Sequence, residues 1–341
     1  MLSDTCLLTT DSLSIGYREN NFMKILQQDQ SLKLHEGDMV CLIGPNGCGK
    51  STLIRTLSGI QPALSGIISI MGRDSSGLSF SDISRLISTV LTDRTAVDQI
   101  TVEEIVALGR YNFTNWLGIL SGRDQAIVDD SIIKVGLEAL KTHTYATLSD
   151  GEKQRSFIAK ALAADTPILL LDEPTAHLDL PNRVEILSLL RNLTRTSGHA
   201  VLVSTHDLDL ALQLADEIWL MLPDRTMLCG TPEEIKQGRH LDQVFGNDSV
   251  YFNEETGSFT LKTDKRKSVN LIGNGTLAEA ARMAFHRLGF DIQINAEPIA
   301  TIHVDQKDFT IEYDDVRHEN LQLAEICRIL RKLSSEISYD L

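Results

Sequence analysis

Three observations predict an α/β protein with a doubly wound core. Met39-Val40-Cys41-Leu42-Ile43 is a short buried strand running into the turn Gly44-Pro45-Asn46-Gly47-Cys48-Gly49-Lys50-Ser51-Thr52, after which Leu53, Ile54 and Leu57 keep a helical spacing. Ile168-Leu169-Leu170-Leu171 and Ala200-Val201-Leu202-Val203-Ser204 are continuous apolar runs, the make-up of strands buried on both faces of a parallel sheet. Helical patterns stand between these strands, and such alternation produces α/β architecture.

The totals narrow the class. With 341 residues the chain is long enough for two domains. A net charge of −15 excludes the basic footprint of a nucleic-acid binder. No apolar run approaches the roughly 20 residues that span a bilayer. Met1-Leu2-Ser3-Asp4 lacks the basic region and apolar core of a signal peptide. Cys6, Cys41, Cys48, Cys229 and Cys327 are scattered without metal spacing, as in a reducing compartment. The expectation is a cytosolic protein that is able to dock on a membrane partner.

Along the chain, Leu7-Leu8, Leu13-Ser14-Ile15 and Ser31-Leu32-Lys33-Leu34 alternate as strands do, with Tyr17 after Gly16 between them. Residues 66–70 and 87–91 are further strands. The period changes near Val102: residues 103–110 and 125–135 read as helices separated by the irregular stretch 111–118, so a helical insert interrupts the sheet. Residues 151–164 form the clearest helix, with Phe157, Ile158, Ala161 and Leu162 on one side. Residues 183–193 are an amphipathic helix. Lys262, Lys265, Arg266 and Lys267 mark a basic linker over residues 263–268, or a solvated loop. A small α/β unit follows over residues 269–341: a strand to Ile272, a helix over 277–288, strands at Thr301–Val304 and Phe309–Tyr313, and a helix over 321–333. Gly273-Asn274-Gly275 reads as a tight strand-to-helix turn.

Five stretches carry chemistry. Residues 44–52 match GxxxxGK[ST], a turn that aims backbone N–H groups at phosphate oxygens and leads into a helix N-terminus. The strand at 168–171 ends in Asp172 and Glu173, which it delivers at the carboxyl end of the sheet beside that loop. There Asp172 would hold Mg²⁺ through water while the Ser51 hydroxyl ligates it. Glu173 would serve as general base or water-positioner; the plain alternative is a capped strand end. Ser149 with Glu152 forms a capping box at the start of the clearest helix, and that N-terminus, with Gly151, is also able to bind a phosphate. His206 follows the strand 200–205 and would reach the γ-phosphate or the attacking water. Tyr17 is either surface packing or a ligand contact.

In this order the motifs resemble the nucleotide-binding subunit of ATP-binding cassette (ABC) transporters, over residues 17–206 with family-like sequence to about 262. The phosphate loop, the signature LSDGE in place of LSGGQ, the acidic strand LLLDEP, Thr175-Ala176-His177-Leu178-Asp179 as the D-loop and Ser204-Thr205-His206-Asp207 as the switch carry the likeness. The resemblance implies a P-loop NTPase cassette over residues 1–262: a RecA-like core, an antiparallel β subdomain and a helical subdomain at about 93–162. It also implies a head-to-tail homodimer holding ATP and Mg²⁺ between the phosphate loop of one copy and the signature of the other. Lys50 and the backbone of residues 47–52 would cradle phosphates, and Ser149 and Gly151 the partner copy's γ-phosphate. Asp179 would link the two sites, and Tyr17 would stack on adenine. Cys48 is expected to lie close to the phosphates, so that a bulky thiol reagent blocks ATP binding unless ATP is present.

Two positions depart from the pattern. Asp150 replaces a glycine of the signature, an electrostatic cost unless it points away from the ligand. Thr92, followed by Asp93, stands where the family usually has a glutamine that touches Mg²⁺, and Thr92 is too short to span that distance; Asp93 is the substitute.

Residues 100–111 with Trp116-Leu117-Gly118 look like importers of iron–siderophore complexes, haem and cobalamin. That implies a peripheral subunit on the cytoplasmic face of the membrane, bound to transmembrane permease subunits and indirectly served by an extracytoplasmic substrate-binding protein. The alternatives are another ABC transporter type, a soluble ABC ATPase, or a nucleotide-sensing regulator with little turnover. The role of the C-terminal unit stays open among regulation, dimer support and a structural addition.

Overall fold

The computed structural model describes residues 5–19, 22–91, 99–114, 119–247, 249–253, 258–261, 267–292, 298–305 and 307–336. The chain divides into two compact units, residues 1–245 with 254–258, and residues 246–253 with 259–341.

The first unit is organised on a six-stranded sheet in the order Met227–Gly230, Glu217–Met221, Met39–Ile43, Ala200–Ser204, Ile168–Leu171, Ile87–Val90. The last five run parallel and Met227–Gly230 pairs antiparallel at the edge. The apolar runs form its middle because all residues of Met39–Ile43, Ile168–Leu171 and Ala200–Ser204 are buried, each large side chain contributing about 1.5–3 kcal/mol. Leu42 lies opposite Ser204, and Leu171 opposite Val203. This register brings the phosphate loop, Asp172 and His206 out together at the carboxyl ends of these strands. The helices Lys50–Leu57, Asp150–Ala163, Leu180–Ser197 and Leu208–Leu214 supply the crossovers.

A second, antiparallel sheet orders Phe22–Gln30, Cys6–Glu19, Ser65–Ile70 and Arg73–Asp74, with Lys33–His35 also on Cys6–Glu19. The two short strands expected at residues 7–8 and 13–15 are thus one long strand, which passes Ser12 at φ 50. Its neighbour Phe22–Gln30 had no counterpart in the sequence reading. Its second half, Gln27-Gln28-Asp29-Gln30, is polar, as a sheet-edge strand allows.

The helical insert contains Val102–Ala107, a 3₁₀ stretch Leu108–Phe113 and Gly122–Lys134. The expected irregular stretch therefore begins as 3₁₀ turns. Arg110 fixes them: it is buried, pairs with Asp124 at 2.8 Å and donates to the Ala163 carbonyl at 3.0 Å.

The second unit holds a mixed sheet ordered Phe290–Ile292, Lys267–Ile272, Thr301–Val304, Phe309–Tyr313, Val316–Leu321. The helices Thr276–Arg287 and Leu323–Glu336 share its core through Ala281, Phe285, Ile326 and Leu330. Gly273 and Gly275, at φ 141 and 99, make the strand-to-helix turn, and a Cβ on Gly273 would lie 2.7 Å from Val304 Cβ. The final helix starts two residues later than expected because Leu321 ends a strand.

The division between units falls earlier than the sequence boundary of 262, and strand Lys267–Ile272 begins inside the stretch read as linker. Two contacts account for this. Phe252 packs edge-on against Phe259 at 5.2 Å, and Lys267 Nζ donates to the Ser334 carbonyl at 2.7 Å, tying the stretch to the C-terminal helix.

Candidate functional site

The phosphate loop is shaped by its glycines. Gly47 and Gly49 take φ 78 and 114, values open to glycine and costly to other residues. A Cβ on Gly44 would lie 2.7 Å from Cys48 Sγ and 2.9 Å from Met221 Cβ. Gly49 starts helix Lys50–Leu57 with no side-chain cap, leaving first-turn N–H groups for a ligand. Asn46 and Gly47 are exposed at the tip, and Pro45 accepts from Cys48 N at 3.3 Å. Lys50, 5% exposed, folds back across the loop and donates from Nζ to the carbonyls of Gly44 at 2.9 Å and Pro45 at 3.3 Å.

From the loop a chain of hydrogen bonds crosses three strand ends. Ser51 Oγ donates to Asp172 Oδ1 at 3.0 Å, and Ser204 Oγ donates to the same oxygen at 2.9 Å. Ser204 Oγ also accepts from the Glu173 N–H at 2.8 Å. Glu173 Oε1 lies 2.6 Å from His206 Nε2. Asp172 is buried, whereas the Glu173 and His206 side chains reach solvent. Glu173 holds φ 49, a left-handed value that costs a non-glycine residue. Ser51 and Asp172 present hard oxygen donors side by side, the donor set that suits Mg²⁺.

Sequence reasoning grouped Ser51, Asp172, Glu173 and His206, and the structure brings them together. It missed Ser204, whose hydroxyl joins Asp172 to the Glu173 backbone. The available signal was a polar residue closing the otherwise apolar run Ala200–Ser204.

Tyr17 lies within strand Cys6–Glu19, and its hydroxyl is 2.7 Å from Thr52 Oγ1, which places it beside the phosphate-loop helix. The Cys48 thiol faces away from the expected position: Sγ lies 3.3 Å from Met221 Sδ and burial pushes its pKa up. A thiol reagent there meets a half-buried, poorly ionised sulfur. Thr92 and Asp93 lie outside the described residues.

The signature residues cluster separately. Ser149 caps helix Asp150–Ala163 in a full capping box: its N–H and Oγ both donate to Glu152 Oε2 at 2.7 Å. Those two bonds hold the Glu152 carboxyl below its usual range. Gly151 packs so tightly that a Cβ would lie 2.6 Å from Asn182 Oδ1. Asn182 in turn donates from Nδ2 at 2.6 Å to Asp179, the N-cap of helix Leu180–Ser197. Ser149, Gly151 and Asp179 therefore lie in one cluster at the starts of these two helices. A cavity of about 370 Å³ separates it from the phosphate-loop side, lined by Asp150 and Lys153 on one wall and by Leu91, Asp172 and Glu173 on the other. Asp150 faces this cavity within its own chain.

Among the described residues no helix is long and apolar enough to cross a membrane. The family model for ABC transporter domains matches residues 27–176. An uncharacterized ABC transporter ATP-binding protein of Methanocaldococcus jannaschii is 33% identical over 279 residues, 81% of this chain and 95% of the relative. The achromobactin transport ATP-binding protein of Dickeya dadantii is 36% identical over 242 residues, 71% of this chain and 88% of the relative. Among solved structures, a dimeric ATP-binding cassette bound to ADP and phosphate after hydrolysis is similar with a TM-score of 0.58 and 26% identity, over 66% of this chain and 99% of that one. On these matches and the motif geometry, the chain belongs to the ATP-binding proteins of ABC transporters, and its reaction is ATP hydrolysis.

Proposed function

We propose that this chain is the ATPase subunit of an importer that takes up a metal chelate, an iron–siderophore complex or cobalamin, through a separate permease. The subunit sits on the cytoplasmic face of the membrane and works as a head-to-tail homodimer. The observation that carries the catalytic assignment is the hydrogen-bonded chain Ser51–Asp172–Ser204–Glu173–His206 at the phosphate loop. Lys50 and the N–H groups of residues 47–52 hold the phosphates. Ser51 and Asp172 would hold Mg²⁺, which would neutralise phosphate charge when bound. Glu173 accepts hydrogen bonds from the attacking water as general base, and His206 orients the Glu173 carboxylate through the 2.6 Å contact. Tyr17, tied to Thr52, receives the base.

Ser149, Gly151 and Asp179 cluster at the starts of two helices, and in the dimer this cluster meets a second copy's nucleotide. ATP bound between two copies favours the closed dimer, and hydrolysis removes that differential affinity. The importer assignment draws on residues 100–111 and on the achromobactin transport relative.

Replacing Glu173 by Gln keeps the side-chain shape and removes the base. Hydrolysis is expected to fall about a hundredfold or more, and an ATP-loaded dimer should appear by size-exclusion chromatography. Hydrolysis at the native rate in that variant would overturn the assignment of the base. Co-purification with a polytopic membrane protein tests the importer reading. Growth of a deletion strain on siderophores or cobalamin separates the two cargo classes.

A further inference from the structure

The chain contains a buried amide that none of the motifs accounts for. Gln27 is 1% exposed, and its Nε2 donates to the backbone carbonyl of Cys48, in the middle of the phosphate loop, at 3.2 Å. Its Oε1 is buried without a hydrogen-bond partner. An orphaned buried acceptor destabilises a fold, so a residue that merely filled this space would be better apolar.

The backbone explains how the amide arrives there. In the pairing of Phe22–Gln30 with Cys6–Glu19, Ile15 lies opposite Gln27 and the next residue, Gly16, opposite Ile25. Leu26 is therefore the extra residue of a β-bulge, a device that re-aims side chains. In consequence Leu26 and Gln27, neighbours that a regular strand would send to opposite faces, both touch the phosphate loop. Leu26 Cβ lies 3.1 Å from where a Cβ on Gly49 would stand, and Gln27 holds the carbonyl one residue earlier.

A trans peptide points its C=O and N–H in opposite directions. No peptide bond among the described residues is cis. Holding the Cys48 carbonyl toward the strand therefore turns the Gly49 N–H the other way, away from that strand. We propose that Gln27 is a positioning residue for ATP: its amide, re-aimed by the bulge at Leu26, presets the Cys48–Gly49 peptide so that the Gly49 N–H faces the phosphates. This rests on the reading of residues 44–52 as the phosphate loop.

The test separates positioning from packing. Gln27→Met keeps the volume and removes the orphaned acceptor, so the melting temperature should hold or rise. ATP affinity and KM should nonetheless worsen by roughly three- to tenfold, with kcat within about twofold of native, the loss of one hydrogen bond's worth of preorganisation. Gln27→Glu retains the shape and loses the donor. Its ATP affinity should fall at alkaline pH and recover relative to native as pH drops and the protonated carboxyl donates to Cys48. Native affinity in both variants overturns the proposal, as does a loss of affinity matched by an equal loss of thermal stability with no pH recovery. A native chain that binds no ATP would overturn the phosphate-loop reading as well, and so is distinguishable from failure of this inference alone.

Discussion

Two helix N-termini in this chain carry family phosphate motifs, and they are finished in opposite ways. Helix Lys50–Leu57 begins at Gly49 with no side-chain cap and no acid in its first turn. Helix Asp150–Ala163 begins at Ser149 with a complete capping box and two acids, Asp150 and Glu152, in its first turn. A helix N-terminus carries partial positive charge and unpaired N–H donors. At the phosphate loop that potential stays open to a ligand of the same chain. At the signature it is largely answered by the chain's own carboxylates, so in the proposed dimer a second copy's phosphate would have to compete with Glu152. Motif position alone therefore does not measure readiness to bind an anion; the cap does.

Exchanging the features of the two ends puts the comparison to the test. The largest effect is expected from Gly49→Ala, which places a side chain at φ 114 and 3.1 Å from Leu26 Cβ. Strain of about 1–3 kcal/mol in the loop should weaken ATP binding by about tenfold to a hundredfold in calorimetric titration, and unchanged affinity would show that the loop adapts. Next comes Ser149→Ala. It removes a cap worth about 1 kcal/mol and, in the proposed dimer, one contact to the partner copy's nucleotide. ATP affinity of the monomer should stay native while ATP-dependent dimerisation falls about tenfold, read by analytical ultracentrifugation.

Glu152→Gln has a smaller effect of the opposite sign. It keeps an acceptor for Ser149 and removes the competing charge, so the ATP-bound dimer should tighten a few-fold. A dimer that weakens would mean that the carboxylate itself organises the interface. The same residue gives the smallest effect, a pH dependence. The folded-state Glu152 carboxyl titrates below its ordinary value because the Ser149 N–H and hydroxyl stabilise its charged form. Its contribution to stability is thus fully present above that value and is lost as pH falls through the folded pKa. Thermal unfolding measured from about pH 5 down to about pH 3 should lose less stability in Glu152→Gln than in the native chain.

Legibility in the sequence followed how local the cause was. The buried strands Met39–Ile43, Ile168–Leu171 and Ala200–Ser204 were readable because continuous apolar residues admit few other fates. The capping box of Ser149 and Glu152 was readable because both partners lie within one turn. Phe22–Gln30 was not, since its polar half earns a strand only by pairing with Cys6–Glu19. The break between units escaped for the same reason: the Lys267–Ser334 contact that ties strand Lys267–Ile272 to the C-terminal helix joins residues distant in the chain.

The site divides along the same line. By itself the sequence determined the phosphate loop, the paired acids Asp172 and Glu173 and the histidine at 206, because each is a residue type tied to a neighbouring strand end or turn. Only the tertiary structure decided that Ser204 bridges the two acids, that the Cys48 thiol packs on Met221 while its carbonyl takes the Gln27 amide, and that Gly151 lies against Asn182. The physical reason is that hydrogen bonds and close packing depend on strand register and on the register shifts that flank Gln27, and both are settled by pairing between strands rather than by adjacent residues.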